Sequence, residues 1–267
     1  MKEILVRTLT GGVFVISVIG SMLWHPLAFF AVMGIYATIG MHEFYKMTMS
    51  HRNHFLYLVA GLVLYALVAL VLLTYLDQHF LLFIVPLFFL VMVVELFNKN
   101  GSWKNLAFYV LAFLYVALPF GLLNAFFYLS SPQTDFILPI SLFVLVWIND
   151  IFAYLSGTFF GRHKLFERVS PKKTWEGALG GLVFAMAAAW GFSQLSDLFT
   201  LPVWLLYAAL LVVTATFGDL VESMLKRNMG VKDSGTIFPG HGGVLDRFDA
   251  VLFAAPFAFV FLIFVTQ

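Results

Sequence analysis

Hydrophobic residues in this chain form long, almost uninterrupted runs separated by short polar segments. A helix needs roughly 20 mostly apolar residues to cross a membrane. The pattern predicts nine such spans, at residues 5–23, 27–46, 55–76, 79–97, 105–129, 136–160, 174–194, 201–222 and 245–265. The runs lack the alternating segments of about ten residues that are typical of an outer-membrane barrel. We therefore predict an all-α, polytopic integral membrane protein.

The composition supports the same fold class. The 267 residues are 62% hydrophobic and 11% charged, whereas a soluble domain is about 25% charged. The absence of cysteine excludes disulfides and thiolate chemistry. The N-terminus has the basic start and apolar run of a signal peptide, but Ser21-Met22-Leu23-Trp24 is a poor cleavage site. We therefore expect the first span to be retained.

The basic residues predict an orientation. All 15 Lys and Arg residues fall on one side of the membrane when the nine spans alternate, including the five between Arg162 and Lys173. The opposite loops, near His25, Asp77, 130–135 and 194–200, carry none. Because cytoplasmic loops are enriched in Lys and Arg, we expect a cytoplasmic N-terminus and an external C-terminus.

The chain divides by chemistry into two parts. Residues 1–140 are predicted to be transmembrane helices for packing, lipid contact and dimerisation, and 141–267 to be helices that carry catalytic cytoplasmic loops. Nine basic and nine acidic residues lie between Asp150 and Asp249. In the first part, Glu43 and Glu95 are interpreted as interfacial partners of Lys46 and Lys99.

Residues 223–249, SMLKRNMGVKDSGTIFPGHGGVLDRFD, are the most informative segment. They combine four basic residues, three aspartates and five glycines, a mixture that can cradle phosphates, although the GxxxxGK[ST] pattern is absent. Asp246 and Asp249 share a helix face, as do Asp219 and Ser223. Mg²⁺ favours such carboxylates together with substrate phosphates. Pairing of each Asp with a nearby Arg or Lys is the alternative; the clustering favours metal and phosphate binding.

Two smaller features lie on the same predicted side. In the segment 170–177, SPKKTWEG, Ser170-Pro171 is expected to start a helix whose first turn attracts anions, with Lys172 and Lys173 on triphosphate oxygens. A membrane anchor with an interfacial Trp is the alternative. Asp150, which follows Asn149 in an apolar span, is predicted to be buried and therefore functional.

The segment 223–249 resembles the signature of the bacterial phosphatidate cytidylyltransferases, or CDP-diacylglycerol synthases. The residues that carry the resemblance are Ser223, Leu225, Lys226, Arg227, Lys232, Asp233, Gly235, Phe238, Pro239, His241, Gly242, Gly243, Asp246, Arg247 and Asp249. The resemblance covers about residues 145–250 well. It implies the reaction of CTP with phosphatidic acid to CDP-diacylglycerol and pyrophosphate, in phospholipid biosynthesis.

The resemblance also implies a Mg²⁺-dependent site open to the cytoplasmic leaflet, and a homodimer. We expect the protein to lie in the bacterial cytoplasmic (inner) membrane and to have no nucleic-acid partner. A second metal ion is left open. We assign Asp219, Asp246 and Asp249 to the metal, with Asp150 as a further candidate, and expect Lys226 and Arg247 to join the three aspartates in catalysis. The expected substrate-binding residues are Lys172, Lys173, Ser223, Arg227, Lys232, His241, Gly242 and Gly243.

Two other functions fit parts of the pattern. A CTP-dependent kinase of polyprenol-type lipids would share the membrane setting and the nucleotide, but it would transfer the γ-phosphoryl group. A non-enzymatic transporter of a phosphorylated solute would place its site near the midplane, often between inverted halves. The one-sided charges and the unlike halves of this chain argue against transport.

Overall fold

The protein is described by a computed structural model that covers residues 2–49, 54–98, 101–129, 136–240 and 242–266, with the backbone alone for 2–5 and 7. Long helices account for most of these residues. The chain forms two units, one of residues 1–128 and 233–247, the other of residues 129–232 and 248–267.

The first unit contains the N-terminal helices. They are α1 (Lys2–Trp24), α2 (Pro26–Thr48), α3 (Phe55–Leu72), α4 (Ile84–Leu96), α5 (Trp103–Ala112) and α6 (Leu118–Leu122). A 3₁₀ turn, Gln78–Phe83, leads into α4, and a π-helical turn, Phe113–Ala117, joins α5 to α6. Another 3₁₀ turn, Leu123–Phe127, extends α6. The predicted fifth span is therefore one apolar rod built from four helical pieces.

Capping side chains set two helix starts in this unit. His25 caps α2, because its Nδ1 accepts a hydrogen bond from the Leu27 amide at 3.1 Å and Pro26 occupies the first turn. Ser102 caps α5 in the same way, accepting from the Asn105 amide at 3.2 Å. These caps satisfy amides that have no partner within their helices.

The second unit contains α7 (Ile137–Phe160), α8 (Trp175–Leu195) and α9 (Leu201–Asn228). Between α7 and α8 lies an antiparallel hairpin of β1 (Lys164–Phe166) and β2 (Ser170–Thr174). Helix α10 (Leu245–Thr266) begins in the first unit and continues into the second. Helices α7 and α8 pack tightly, since Phe152 stacks on Phe184 with ring centroids 3.6 Å apart.

The fold class predicted from the sequence is confirmed. Each predicted span coincides with a helical rod, and within the described residues eight of these are long and apolar enough to cross a membrane. The helix α1 contributes a shorter apolar stretch, Thr8–Trp24. The chain is a multi-pass membrane protein.

The expected helix start at Ser170-Pro171 is wrong. Ser170 and Thr174 pair across the hairpin with Phe166 and Lys164. The helix begins at Trp175, because the Thr174 hydroxyl caps it by accepting from the Gly177 amide at 3.2 Å. Lys172 and Lys173 therefore lie on an extended strand before the helix, and not in its first turn.

Candidate active site

A cluster of carboxylates lies in the second unit where α7, α9 and α10 come together. Asp249 on α10 is within electrostatic reach of Asp219, Glu222 and Asp150. Gly218 permits this approach of α9 to α10, because a Cβ there would lie 2.7 Å from the Asp249 carbonyl oxygen. The sequence analysis predicted three of these four carboxylates as metal ligands.

Asp219 is held by two side chains that the sequence analysis assigned to substrate. The Lys173 Nζ atom lies 2.6 Å from Asp219 Oδ2. The Ser223 hydroxyl donates to Asp219 Oδ1 at 3.2 Å, as the spacing of four residues on α9 predicted. Strand β2 thus brings Lys173 to a residue of α9 that lies 46 positions later in the chain.

Lys226 also has a carboxylate partner. Its Nζ lies 2.6 Å from Oε2 of Glu222, one turn earlier on α9, and Glu222 is fully buried while Lys226 is 8% exposed. Sequence reasoning missed Glu222, although the Glu-to-Lys spacing of four on a helix was a usable signal. Removing one member of a buried ion pair strongly destabilises a protein, because the other charge stays buried without compensation. Lys226 therefore contributes to stability.

Two arginines line a cavity of about 350 Å³ in the same unit, together with Val169, Met224 and Asn228. Arg227 belongs to the predicted phosphate-binding set, and its Nη1 donates to the Val231 carbonyl at 3.0 Å. Arg168, from the hairpin, stands 5.8 Å from the centre of the Phe166 ring. Sequence reasoning counted Arg168 only as a basic loop residue. Guanidinium groups match phosphate oxygens well, so the cavity suits a phosphate.

The glycine-rich loop of the first unit, whose described residues are 234–240 and 242–245, surrounds the Asp246 carboxylate. Gly240 and Gly242 have φ angles of 79° and 84°, which glycine adopts readily, and the Phe238 amide donates to the Gly242 carbonyl at 3.0 Å. The Gly243 amide donates to Asp246 Oδ2 at 2.7 Å. That amide therefore serves the loop itself, and phosphate contact by Gly242 and Gly243 stays a prediction. His241 lies outside the described residues.

Glu43 reaches the same loop from α2. It is 5% exposed, and its two oxygens accept hydrogen bonds from the Val244 and Leu245 amides, each at 3.0 Å. The Ser234 hydroxyl lies 3.0 Å from Glu43 Oε2. The interpretation of Glu43 as an interfacial partner of Lys46 is wrong. Local sequence patterns cannot predict a contact between residues about 200 positions apart.

Comparisons with known proteins identify the family of this chain. The model of the Cytidylyltransferase family matches residues 5–265. A phosphatidate cytidylyltransferase of Staphylococcus aureus (strain COL) is 35% identical over 270 positions, covering 97% of this chain and 98% of the relative. Phosphatidate cytidylyltransferases of Staphylococcus haemolyticus and Staphylococcus epidermidis are 38% and 37% identical, over 67% of this chain and 68% of theirs. The chain belongs to the cytidylyltransferase family.

Membership of the cytidylyltransferase family confirms the resemblance predicted from the signature, and makes the protein a nucleotidyltransferase enzyme. The match also covers the N-terminal helices, where the sequence resemblance rested on hydrophobicity alone. Glu43 therefore lies within the family-matched region.

The remaining predicted phosphate-binding residues, Lys172, Lys232 and Arg247, are all exposed.

One predicted feature of this cytidylyltransferase is wrong: Asp150 is exposed, and its neighbour Asn149 is the buried residue, at 2% exposure. Successive residues on a helix point about 100° apart. Asn149 faces α8 at Gly181, where a Cβ would lie 2.8 Å from the Asn149 carbonyl oxygen. The Asn149 Nδ2 donates to Asp150 Oδ1 at 3.3 Å, so the two neighbours stay linked.

The donor set fits a cation that binds together with substrate. Among the described residues, no three His, Asp or Glu side chains are arranged to hold a metal ion by themselves. Mg²⁺ generally takes one or two carboxylates and completes its shell with water and substrate phosphates. Asp219 and Asp249, on adjacent helices, can supply such a pair. The assignment of Asp246 and Asp150 to the metal stays a prediction.

Proposed function

We propose that this chain is a phosphatidate cytidylyltransferase, which converts CTP and phosphatidic acid to CDP-diacylglycerol and pyrophosphate. The observation that carries the proposal is the similarity, over 97% of the chain, to a relative of that name. The cluster of carboxylates, lysines and arginines in the second unit supports it independently. Such a cluster at the ends of membrane helices suits a reaction between a lipid and a nucleotide.

The chemistry is a displacement at the α-phosphorus of CTP. An oxygen of the phosphatidate phosphate forms a new bond to this phosphorus, and the bond from the α-phosphorus to the oxygen that bridges it to the β-phosphorus breaks. Pyrophosphate leaves with that oxygen and its electron pair. Because a phosphate monoester is already an anion, the step needs no general base, and catalysis rests on positioning and charge neutralisation.

The cationic side chains have complementary roles in this scheme. Lys173 moves from Asp219 to a phosphate oxygen, which neutralises charge that develops on the leaving pyrophosphate. Arg168 and Arg227 hold a phosphate in the cavity that they line, which is called the basic cavity below. Lys172, Lys232, Arg247 and His241 are proposed as further phosphate contacts. Lys226 remains paired with Glu222 and compensates its buried negative charge.

Asp219 and Asp249 would hold the divalent cation, with Asp246 and Asp150 as further proposed ligands. When bound, Mg²⁺ supplies charge neutralisation at the phosphates and helps to orient them. Ser223 keeps the Asp219 carboxylate in place through its hydroxyl. Its role is to orient a ligand and not to react.

We propose that the enzyme lies in the bacterial cytoplasmic membrane with its N-terminus and active site facing the cytoplasm, where CTP is made. The one-sided Lys and Arg residues support this orientation, although Arg52 and Lys99 lie outside the described residues. We also propose a homodimer, which light scattering of the detergent-purified protein tests. A mass of one protein chain per particle would contradict the dimer.

The decisive experiment uses purified protein in detergent with phosphatidic acid, Mg²⁺ and CTP labelled at either the α- or the γ-phosphate. Transfer of α-label into lipid, abolished by chelation, is the expected result. Transfer of γ-label would instead identify a lipid kinase. No transfer from either position to phosphatidic acid would contradict the proposed function.

A further inference from the structure

Glu43 is buried, and both of its carboxylate oxygens accept hydrogen bonds. Its carboxylate on α2 accepts from two consecutive amides at the start of α10, those of Val244 and Leu245, and from the Ser234 hydroxyl. Hydrogen bonds from backbone amides to an ionised carboxylate are about twice as strong as neutral ones. The first amides of a helix have no partner within it and carry partial positive charge. Glu43 thus satisfies the start of α10.

The glycine-rich loop is shaped to receive this carboxylate. A Cβ at Gly243 would lie 2.5 Å from Glu43 Cδ, and one at Gly235 would lie 2.7 Å from the same atom. Any side chain at either position would displace the Glu43 carboxylate. The absence of a side chain at these two glycines therefore leaves space for the Glu43 carboxylate, which is a role separate from phosphate binding.

Ser234 connects Glu43 to Asp246. Its hydroxyl lies 3.0 Å from Glu43 Oε2 and 3.0 Å from Asp246 Oδ2, and it donates to one carboxylate at a time. Its amide donates to Asp246 Oδ2 at 2.8 Å, and the Gly243 amide donates to the same oxygen at 2.7 Å. One serine and one segment of backbone thus fix both carboxylates.

We propose that Glu43 is a positioning residue for the reaction: it holds the loop at Ser234, Val244 and Leu245 and thereby sets the Asp246 carboxylate. This inference rests on the proposed function, in which Asp246 is a metal ligand. Groups that orient metal ligands typically change metal affinity or activity about 10- to 100-fold when they are replaced. Glu43 acts on chemistry through the loop and does not itself contact substrate.

Glu95 supplies a matched control on the same unit. It is 4% exposed and accepts from the Ser102 amide at 2.9 Å, from Asn105 Nδ2 at 2.8 Å and from the Tyr57 hydroxyl. It also satisfies the start of a helix, here α5. Glu43→Gln and Glu95→Gln therefore remove the same charge from equally buried, equally bonded sites, and only Glu43 reaches the Asp246 loop.

The first test is amide hydrogen exchange on the metal-free protein in detergent. Peptides spanning residues 233–247 should exchange about tenfold or more faster in Glu43→Gln than in the wild type, the change expected from losing hydrogen bonds to a charged group. In Glu95→Gln the increase should be confined to peptides around Ser102. Unchanged protection of 233–247 in Glu43→Gln would overturn the proposal.

The second test measures cytidylyl transfer and its Mg²⁺ dependence. Glu43→Gln should lower kcat or raise the Mg²⁺ midpoint about 10- to 100-fold with little change in the KM for phosphatidic acid, whereas Glu95→Gln should keep the wild-type midpoint. Ser234→Ala should shift the same quantities in the same direction, and it decides the matter if Glu43→Gln does not fold. Equal kcat values and equal Mg²⁺ midpoints for the Glu43 and Glu95 variants would contradict the positioning role. An inactive wild type would instead contradict the proposed function.

Discussion

At the residue scale, Asp219 is the side chain on which most of the proposed site depends. It has Lys173 on one oxygen and Ser223 on the other, and it is within electrostatic reach of Asp249. A carboxylate at the end of a membrane span is costly unless it faces a polar cavity. The ion pair with Lys173 and the hydrogen bond from Ser223 offset this cost.

We expect Asp219→Asn to lower cytidylyl transfer by about 10²- to 10³-fold, the loss typical of removing one key electrostatic group. Asparagine keeps the shape but removes the charge that a cation and Lys173 require. Steady-state transfer at matched protein levels measures the effect. Asp197→Asn, on an exposed residue of the α8–α9 loop, is the control and should leave turnover unchanged; near-normal turnover in Asp219→Asn would exclude the assigned role.

The buried pair of Glu222 and Lys226 separates stability from catalysis. Glu222→Gln should destabilise the protein by about 3–5 kcal/mol, because it leaves a buried ammonium without its counter-charge. The double variant Glu222→Gln/Lys226→Met should recover most of that stability. Thermal unfolding in detergent measures both. If the double variant is stable and also fully active, Lys226 is structural only and its predicted catalytic role is wrong.

At the scale of elements, the hairpin of β1 and β2 matters most. It is short, yet it delivers Lys173 to α9 and Arg168 to the basic cavity. The hairpin is attached to α8 by Glu176, whose carboxylate accepts from the Arg162 amide at 3.0 Å and from the His163 amide at 3.2 Å. The hairpin is therefore a positioned part of the site and not a simple linker.

The hairpin arginine provides the test of this element. Arg168→Ala should raise the KM for one of the two substrates roughly tenfold, as expected from losing a hydrogen-bonded cation–phosphate contact, with kcat less affected. Arg168→Lys keeps the charge and should recover part of the loss. Separate titrations of CTP and of phosphatidic acid identify which phosphate the cavity takes; unchanged KM for both would contradict the role of Arg168.

The sequence predicted the helices well and the connections poorly. Nine apolar runs are strong, local signals, and the pairing of Asp219 with Ser223 followed from helix periodicity alone. The hairpin was missed because five residues of strand, Ser170–Thr174, contain a Ser-Pro that is also typical of a helix start. Glu43 was misinterpreted because its partner Ser234 is 191 positions away, and one sequence contains no signal for such a contact.

At the scale of the whole molecule, introduced cysteines can test the proposed orientation in the membrane. The chain has no cysteine, so a single introduced thiol reports its own exposure. Glu167 in the hairpin and Asp197 after α8 are both exposed, and they lie at opposite ends of one span.

We expect a membrane-impermeant maleimide to label Asp197→Cys in intact cells, and to label Glu167→Cys only after the membrane is permeabilised. The positive-inside distribution is the physical reason. The reverse pattern would contradict the proposed orientation. Labelling of both positions in intact cells would mean that α8 does not cross the membrane.

The contact between Lys173 and Asp219 joins a proposed phosphate-binding residue to a proposed metal ligand. The Lys173 Nζ atom lies 2.6 Å from Asp219 Oδ2, and both side chains are partly exposed. A nucleotide phosphate that competes with Asp219 for Lys173 would favour a cation at Asp219, and Asp219 would hold that cation in place of the Lys173 ammonium. Because such coupling is reciprocal, the enzyme would take up both ligands together in preference to either alone.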